Sequence, residues 1–334
     1  MITKSDLEKA AQLNIISAEQ VEPLYTFLHA QPSDVTGDNR EEPLRFIRSF
    51  GDIFITLGVI LLAMSINLSG ISGIYTLFPI TGFILVAEWL VRVRRLALPG
   101  MALLVSLLFF VYHAMSFGSD SPLYLRFAVL ALSSLLFYLR YKMPFSVLPL
   151  AASLVAMFIV AVDINVLDYP IIFAGLGLII FAAALWFDAQ DTQRVSHLSD
   201  TAFWLHLLAS PLIVHGVMVT IILSEQSTIT VFSKELLMII FFACFFLVAL
   251  LLDRRAMLIS TQLYIIYALT RIFKDTLSNT ENVVMYVLIA LGLFILYFGA
   301  YWYKSRRFIF SRLAGHTISR YVPDLNIQDV KLSK

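Results

Sequence analysis

The chain predicts an all-α membrane protein of about ten transmembrane helices, preceded by a short cytosolic N-terminal helical hairpin. Three observations carry this expectation. Fifty-nine per cent of the 334 residues are hydrophobic and only 14% are charged, against about 45–50% and about 25% in ordinary globular domains. Ten stretches each approach the roughly 20 apolar residues that cross a hydrocarbon core. Lysine and arginine are dense in every second connection and sparse in the others. The connections left between the stretches are too short to hold a folded domain, which argues against a soluble enzyme. With backbone polar groups unable to find water in lipid, runs of this length without strict alternation choose helices over strands.

Residues 1–45 form the leader. Its first residues, MITKSDLEKAAQLN, lack the basic-then-apolar order of a cleaved signal peptide, so targeting is expected from the first span. Ser5 with Glu8, and Ser17 with Gln20, have capping-box spacing. They predict helices over about 6–13 and 18–30. The second places Val21, Leu24, Tyr25 and Leu28 on one face, and Pro23 costs it a backbone hydrogen bond. Residues 31–42, QPSDVTGDNREE, read as a solvated linker. Helices this short are marginal alone. Their apolar face packs on the chain's own membrane domain, or serves as a docking site for a protein partner or a second copy.

The leader segment LNIISAEQVEPLYTFL is followed by RSFGDIFITLGVILLAMSI. Together these resemble, over residues 7–65, a bacterial membrane-protein family catalogued as a domain of unknown function, number two-one-five-seven. That resemblance implies a short helical N-terminus before many spans, a bacterial inner-membrane location and no catalytic residues.

The spans are expected at about 50–69, 73–91, 98–117, 122–140, 142–162, 169–188, 202–223, 234–252, 256–273 and 281–303, a transmembrane domain of 46–303. The ninth is the least apolar, holding Ser260, Thr261, Gln262, Thr270 and Arg271. With ten alternating spans, 20 of the 24 lysines and arginines fall on one side. Only Arg126, Lys234, Arg271 and Lys274 fall on the other. Both termini are therefore expected in the cytoplasm. Trp89, Tyr124, Tyr138, Trp186, Trp204, Tyr301, Trp302 and Tyr303 stand near span ends, as interfacial belts require. The basic tail, 304–334, brings KSRRFIF to the inner leaflet as an anchor.

Charges at membrane depth are the first candidates for function. Glu88, with Arg92 one turn on, is an interfacial ion pair or a proton or cation site. His113, Arg126 and Arg271 lie near the outer ends of their spans, where they snorkel to headgroups or line an outward vestibule suited to an anion. The seventh span carries His206, Ser210, Pro211, His215 and Gly216. Pro211 is expected to kink it and free a carbonyl. His215 is a satisfied interior histidine or a proton-coupling group, since histidine titrates near neutrality. His206 is nine residues away, on the opposite face. Gln262 is glue between helices or part of a polar pathway. Asp52 is expected at the interface. Asp163 and Asp168 share one loop, which is solvated or binds a cation.

No GxxxxGK[ST], HExxH or GxSxG occurs, and the single cysteine, Cys244, permits neither an intramolecular disulfide nor a cysteine metal cluster. No cofactor or metal is expected. A net charge of +1 gives no field for nucleic acid. LGVILLA (57–63) resembles LGLIIFA (176–182), as two halves of a five-plus-five repeat with broken helices would. The functional expectation is a non-enzymatic membrane scaffold, assembly factor or sensor. The alternative is a small-solute transporter with a pathway through His215, Gln262, Arg126 and His113. A lipid-modifying enzyme is a distant third.

Overall fold

The computed structural model describes residues 4–13, 16–29, 47, 49–116, 121–165, 168–191, 194, 196–224, 233–274 and 280–313. Among these there is no β-strand. The linker at 31–42, and the tail beyond residue 313 with Lys331 and Lys334, lie outside the described residues.

The chain divides at Arg45/Phe46. The first unit is a hairpin of α1 (Lys4–Gln12) and α2 (Ala18–His29), packed on each other. Among its described side chains, Leu7 and Val21 are the buried apolar ones. One half of the expected second capping box is made, with the Ser17 amide donating to Gln20 Oε1 at 3.0 Å. Ser5 does not precede its helix as expected, since α1 already begins at Lys4.

The second unit holds ten helical segments long and apolar enough to cross a membrane, and the protein is a multi-pass membrane protein. They comprise α3 (Phe50–Leu68), α4 (Leu77–Ala87) with a preceding 3₁₀ turn and a following π-helical turn (Glu88–Val93), α5 (Ala97–Ser116), α6 (Leu123–Tyr141) and α7 (Val147–Ala161). After these come α8 (Ile171–Gln190), α9 (His197–Leu223), α10 (Lys234–Leu252), a 3₁₀ run (Arg255–Thr261) leading into α11 (Gln262–Lys274), and α12 (Thr280–Leu313). Leu103, Leu104, Leu107 and Phe110 of α5 form the centre of one apolar core with Val59, Phe83, Ala87 and Phe137. Leu205, Ala209, Val214 and Met218 of α9 do the same for α8, α10 and α11. Phe246 and Leu250 of α10 enclose Trp302 of α12 in a third.

The pair α8–α9 is closest because its contact surface is made of small residues. A Cβ on Gly216 would stand 2.4 Å from the Ala174 amide nitrogen, and one on Gly177 would stand 2.8 Å from Ile213. Gly58, the counterpart of Gly177 in the two similar heptapeptides, has nothing within 4 Å. Nor is either segment broken: both lie within continuous α-helices.

The seventh span is one α-helix of 27 residues with Pro211 inside it, and Ser210 gives its hydroxyl to the His206 carbonyl of its own helix at 2.7 Å. The tenth span kinks close to its expected end, with non-helical angles at Tyr301, and helix resumes beyond it to Leu313. This carries Trp302 and Arg306 inward, each 2% exposed, rather than to a belt and a leaflet. Asp52 stands in the first turn of α3, at the end of the first span as expected, and is buried there; the helix dipole favours a carboxylate at this place, and it accepts from Ser49 Oγ at 3.1 Å.

Candidate functional site: a buried ionic knot at one end of the bundle

Most of the buried ionisable residues, Asp188, His206, Arg254 and Arg306, gather where α8 ends, α9 begins, α10 ends and α12 passes. Their arrangement starts from the end of α10. The last carbonyls of a helix lack intrahelical partners. Here Asp253 adopts the left-handed conformation (φ +56°), and Arg254 turns back so that its amide donates to the Ala249 carbonyl at 3.0 Å. Two arginines cap further carbonyls, as cations at a helix C-terminus do. Arg194 Nη2 donates to Leu252 at 2.6 Å and Arg306 Nη2 to Leu251 at 3.3 Å.

The Asp253 carboxylate ties the same groups together. Its Oδ1 accepts from Trp302 Nε1 at 2.6 Å. Its Oδ2 accepts from Arg194 Nη1 at 3.3 Å and lies 3.6 Å from Arg306 Nη1. Arg255 lies against the outside of this layer, 5.3 Å from the ring centroids of both Trp302 and Tyr303.

The next residue turns inward. Arg254 Nη2 meets Asp188 Oδ1 at 2.5 Å and the Ser199 carbonyl and Oγ at 3.2 Å each. His206 Nε2 is 2.8 Å from Asp188 Oδ2, so it is the protonated nitrogen facing that carboxylate. Phe181 closes the other side of the imidazole, 5.1 Å between centroids, and His206 Nδ1 is buried without a hydrogen-bond partner. Asp188, His206 and Arg254 are 1–3% exposed. Buried charges persist only when paired and hydrogen-bonded, and here one carboxylate receives both a guanidinium and an imidazole. The knot fastens four helices and the start of the ninth span. Its one hydroxyl, Ser199 Oγ, is engaged by Arg254. Among the described residues, no three of His, Cys, Asp and Glu stand together as metal ligands.

The six residues nominated from the sequence lie elsewhere, in separate contacts. Glu88 receives Arg140 in a two-pronged contact at 2.8 and 3.0 Å, Arg92 at 3.3 Å and the Tyr141 hydroxyl at 3.1 Å. Arg126 donates to Ser121 Oγ at 3.3 Å, and its guanidinium is 6.0 Å from the Tyr112 ring. His113 is exposed and rests on Phe109 at 4.4 Å between centroids. Arg271 lies 3.8 Å from Glu235 of α10. His215 is exposed, its Nδ1 2.5 Å from the Tyr264 hydroxyl. Gln262 gives its amide to the Leu258 carbonyl at 3.0 Å, and its Oε1 is buried without a partner. These contacts bring Glu88 together with Arg140, and Arg271 with Glu235, but link none of the six to another. Asp168 accepts from Asn165 within their loop at 2.7 Å.

Asp188 was invisible to sequence reasoning because it closes an apolar run as an interfacial charge would. The usable signal was the demand that an acid at the end of a span have a named cation, and Asp253-Arg254-Arg255 is the one place where two arginines follow an aspartate. Comparison of the chain with protein-family models, with curated proteins and with solved structures finds no match in any of the three.

Proposed function

We propose that this chain is a non-enzymatic scaffold, assembly or sensor protein of a bacterial inner membrane, with both termini in the cytoplasm. Membership of the domain-of-unknown-function family two-one-five-seven belongs to the same proposal and rests on the residues that carry the resemblance. The observation supporting the reading is how the membrane-depth polar groups are spent. Each makes a local contact between neighbouring helices or with its own helix, and Asp188, His206, Arg254 and Arg306, all buried, belong to a knot that holds helices together. A solute pathway asks for polar groups gathered on one route near the bilayer centre.

The leader hairpin is then the working part, through a protein partner or a second copy, and the membrane domain is its anchor. The test is complementation in a host lacking the chain, with membrane levels matched. H215A/Q262A should restore the wild-type phenotype, and a chain lacking 1–45 should not. The opposite pattern would overturn the reading.

The transporter reading keeps one observation in its favour. The ninth span opens as seven residues of 3₁₀-helix and becomes α-helical at Gln262. Runs of 3₁₀ beyond three or four residues are uncommon and often mark hinges. Gln262 Oε1, buried and unpartnered, stands at that junction. A loss of function confined to Q262A would favour a carrier.

A further inference from the structure

The cations of the side richest in lysine and arginine fall into two populations. Arg254 and Arg306 are buried and Arg194 is 16% exposed in its side chain, each paired to Asp188 or Asp253. At the ends of α4 and α6 the situation is reversed. Arg92, Arg94, Arg95, Arg140 and Lys142 are all exposed. Among the described residues, the carboxylate paired with this group is Glu88. Both Glu88 oxygens are occupied by Arg92, Arg140 and Tyr141, so this one carboxylate holds two of the five cations. It does so from the π-helical turn, where the Arg94 amide reaches back to the Trp89 carbonyl at 3.0 Å.

Two of these cations stand beside aromatic rings of their own segments. Arg94 lies 5.6 Å from the Trp89 ring centroid and Lys142 5.8 Å from that of Tyr138. On the same two helices Trp89, Val93, Leu136 and Leu139 are 52–70% exposed. Cations beside Trp and Tyr at a membrane interface meet lipid headgroups. A surface of this sign repels a second copy of itself, and a free anion would make no use of the exposed apolar side chains.

We propose that this corner binds an anionic phospholipid. Its phosphate sits among Arg94, Arg95 and Lys142 around the Glu88 clamp, and an acyl chain lies along Trp89 and Leu139. The proposal is independent of the scaffold reading.

The full chain, purified in neutral detergent, is titrated with phosphatidylglycerol or phosphatidylcholine while its thermal unfolding is followed. Phosphatidylglycerol should stabilise it saturably and phosphatidylcholine should not. R94Q/R95Q/K142Q should weaken the apparent affinity by roughly tenfold or more. K4Q/K9Q/R40Q, which removes equal charge from the leader, should leave it unchanged. Raising NaCl to about 0.5 M should weaken the wild-type preference, and this arm decides the matter even where the triple variant fails to fold. The proposal is overturned if the wild type shows no preference between the lipids, if the triple variant keeps it, or if salt leaves it intact. It is equally overturned if inorganic phosphate at matched concentration stabilises as well as the lipid does.

Discussion

Asp188 and Arg254 meet at 2.5 Å with 3% exposure each, so neither charge has water to fall back on. Removing one partner of such a pair strands the other, at a cost of about 3–5 kcal/mol, whereas replacing both with apolar groups of similar size is often neutral. Arg254→Met should therefore sharply lower the unfolding midpoint of the purified chain in detergent. The double variant D188L/R254M should recover a substantial part of the loss. A double variant as unstable as the sum of the singles would mean that Asp188 depends on His206 rather than on Arg254. The Asp253-Arg254-Arg255 run marks where cations collect, but not which partners they meet. Asp188, His206 and Arg254 are separated by 18 and 66 positions, and charges at span ends carry no mark distinguishing a solvated arginine from a buried one. Glu88 with Arg92 was legible because an i, i+4 spacing is local. Arg140, 52 residues on, was not.

At the scale of the element, hydrophobic length did most of the work. The bilayer's thickness dictates a run of roughly 20 residues, and all ten expected spans are present with ends shifted by a few positions. What the pattern could not reveal was which face of each helix matters. Gly58 and Gly177 occupy the same place in two similar heptapeptides, yet one faces open space and the other packs against Ile213. Gly216 is tighter still against Ala174. Overpacking a close contact costs about 1–3 kcal/mol, while an exposed helical glycine gives up as much as about 1 kcal/mol relative to alanine. Gly216→Ala should destabilise the chain in detergent unfolding, and Gly58→Ala should leave it unchanged or slightly more stable. Equal effects would mean that the α8–α9 contact is looser than its geometry. The segment that follows the kink at Tyr301 was hidden for a related reason. The basic letters after residue 303 read as a tail, but Trp302 and Arg306 have a carboxylate, Asp253, waiting for them inside.

For the whole molecule the decisive quantity is the number of crossings, since one span more or fewer moves the C-terminus to the other side. Cross-loop contacts agree with ten. Glu88 with Arg140, Arg194 with Asp253, and Asp253 with Arg306 each join segments that alternation puts on the lysine- and arginine-rich side. Arg271 with Glu235, and Lys234 with the Ile222 and Ser224 carbonyls, join segments on the opposite side. The weak link is the ninth span, the least hydrophobic of the ten. Two features make it a crossing. Seven residues of 3₁₀-helix followed by 13 of α-helix reach about 33 Å, enough for a hydrocarbon core of about 30 Å. Met257, Thr261, Ile265 and Ala268 form a stripe along it that is 0–5% exposed, so one face of it, Thr261 included, is packed into the bundle. A reporter fused after Lys334 should therefore read cytoplasmic, and one inserted at residue 228, between the seventh and eighth spans, should read from the opposite side. If the fusion at Lys334 instead reads with the one at 228, the ninth segment does not cross, and the contact between Asp253 and Arg306 could not form in the membrane.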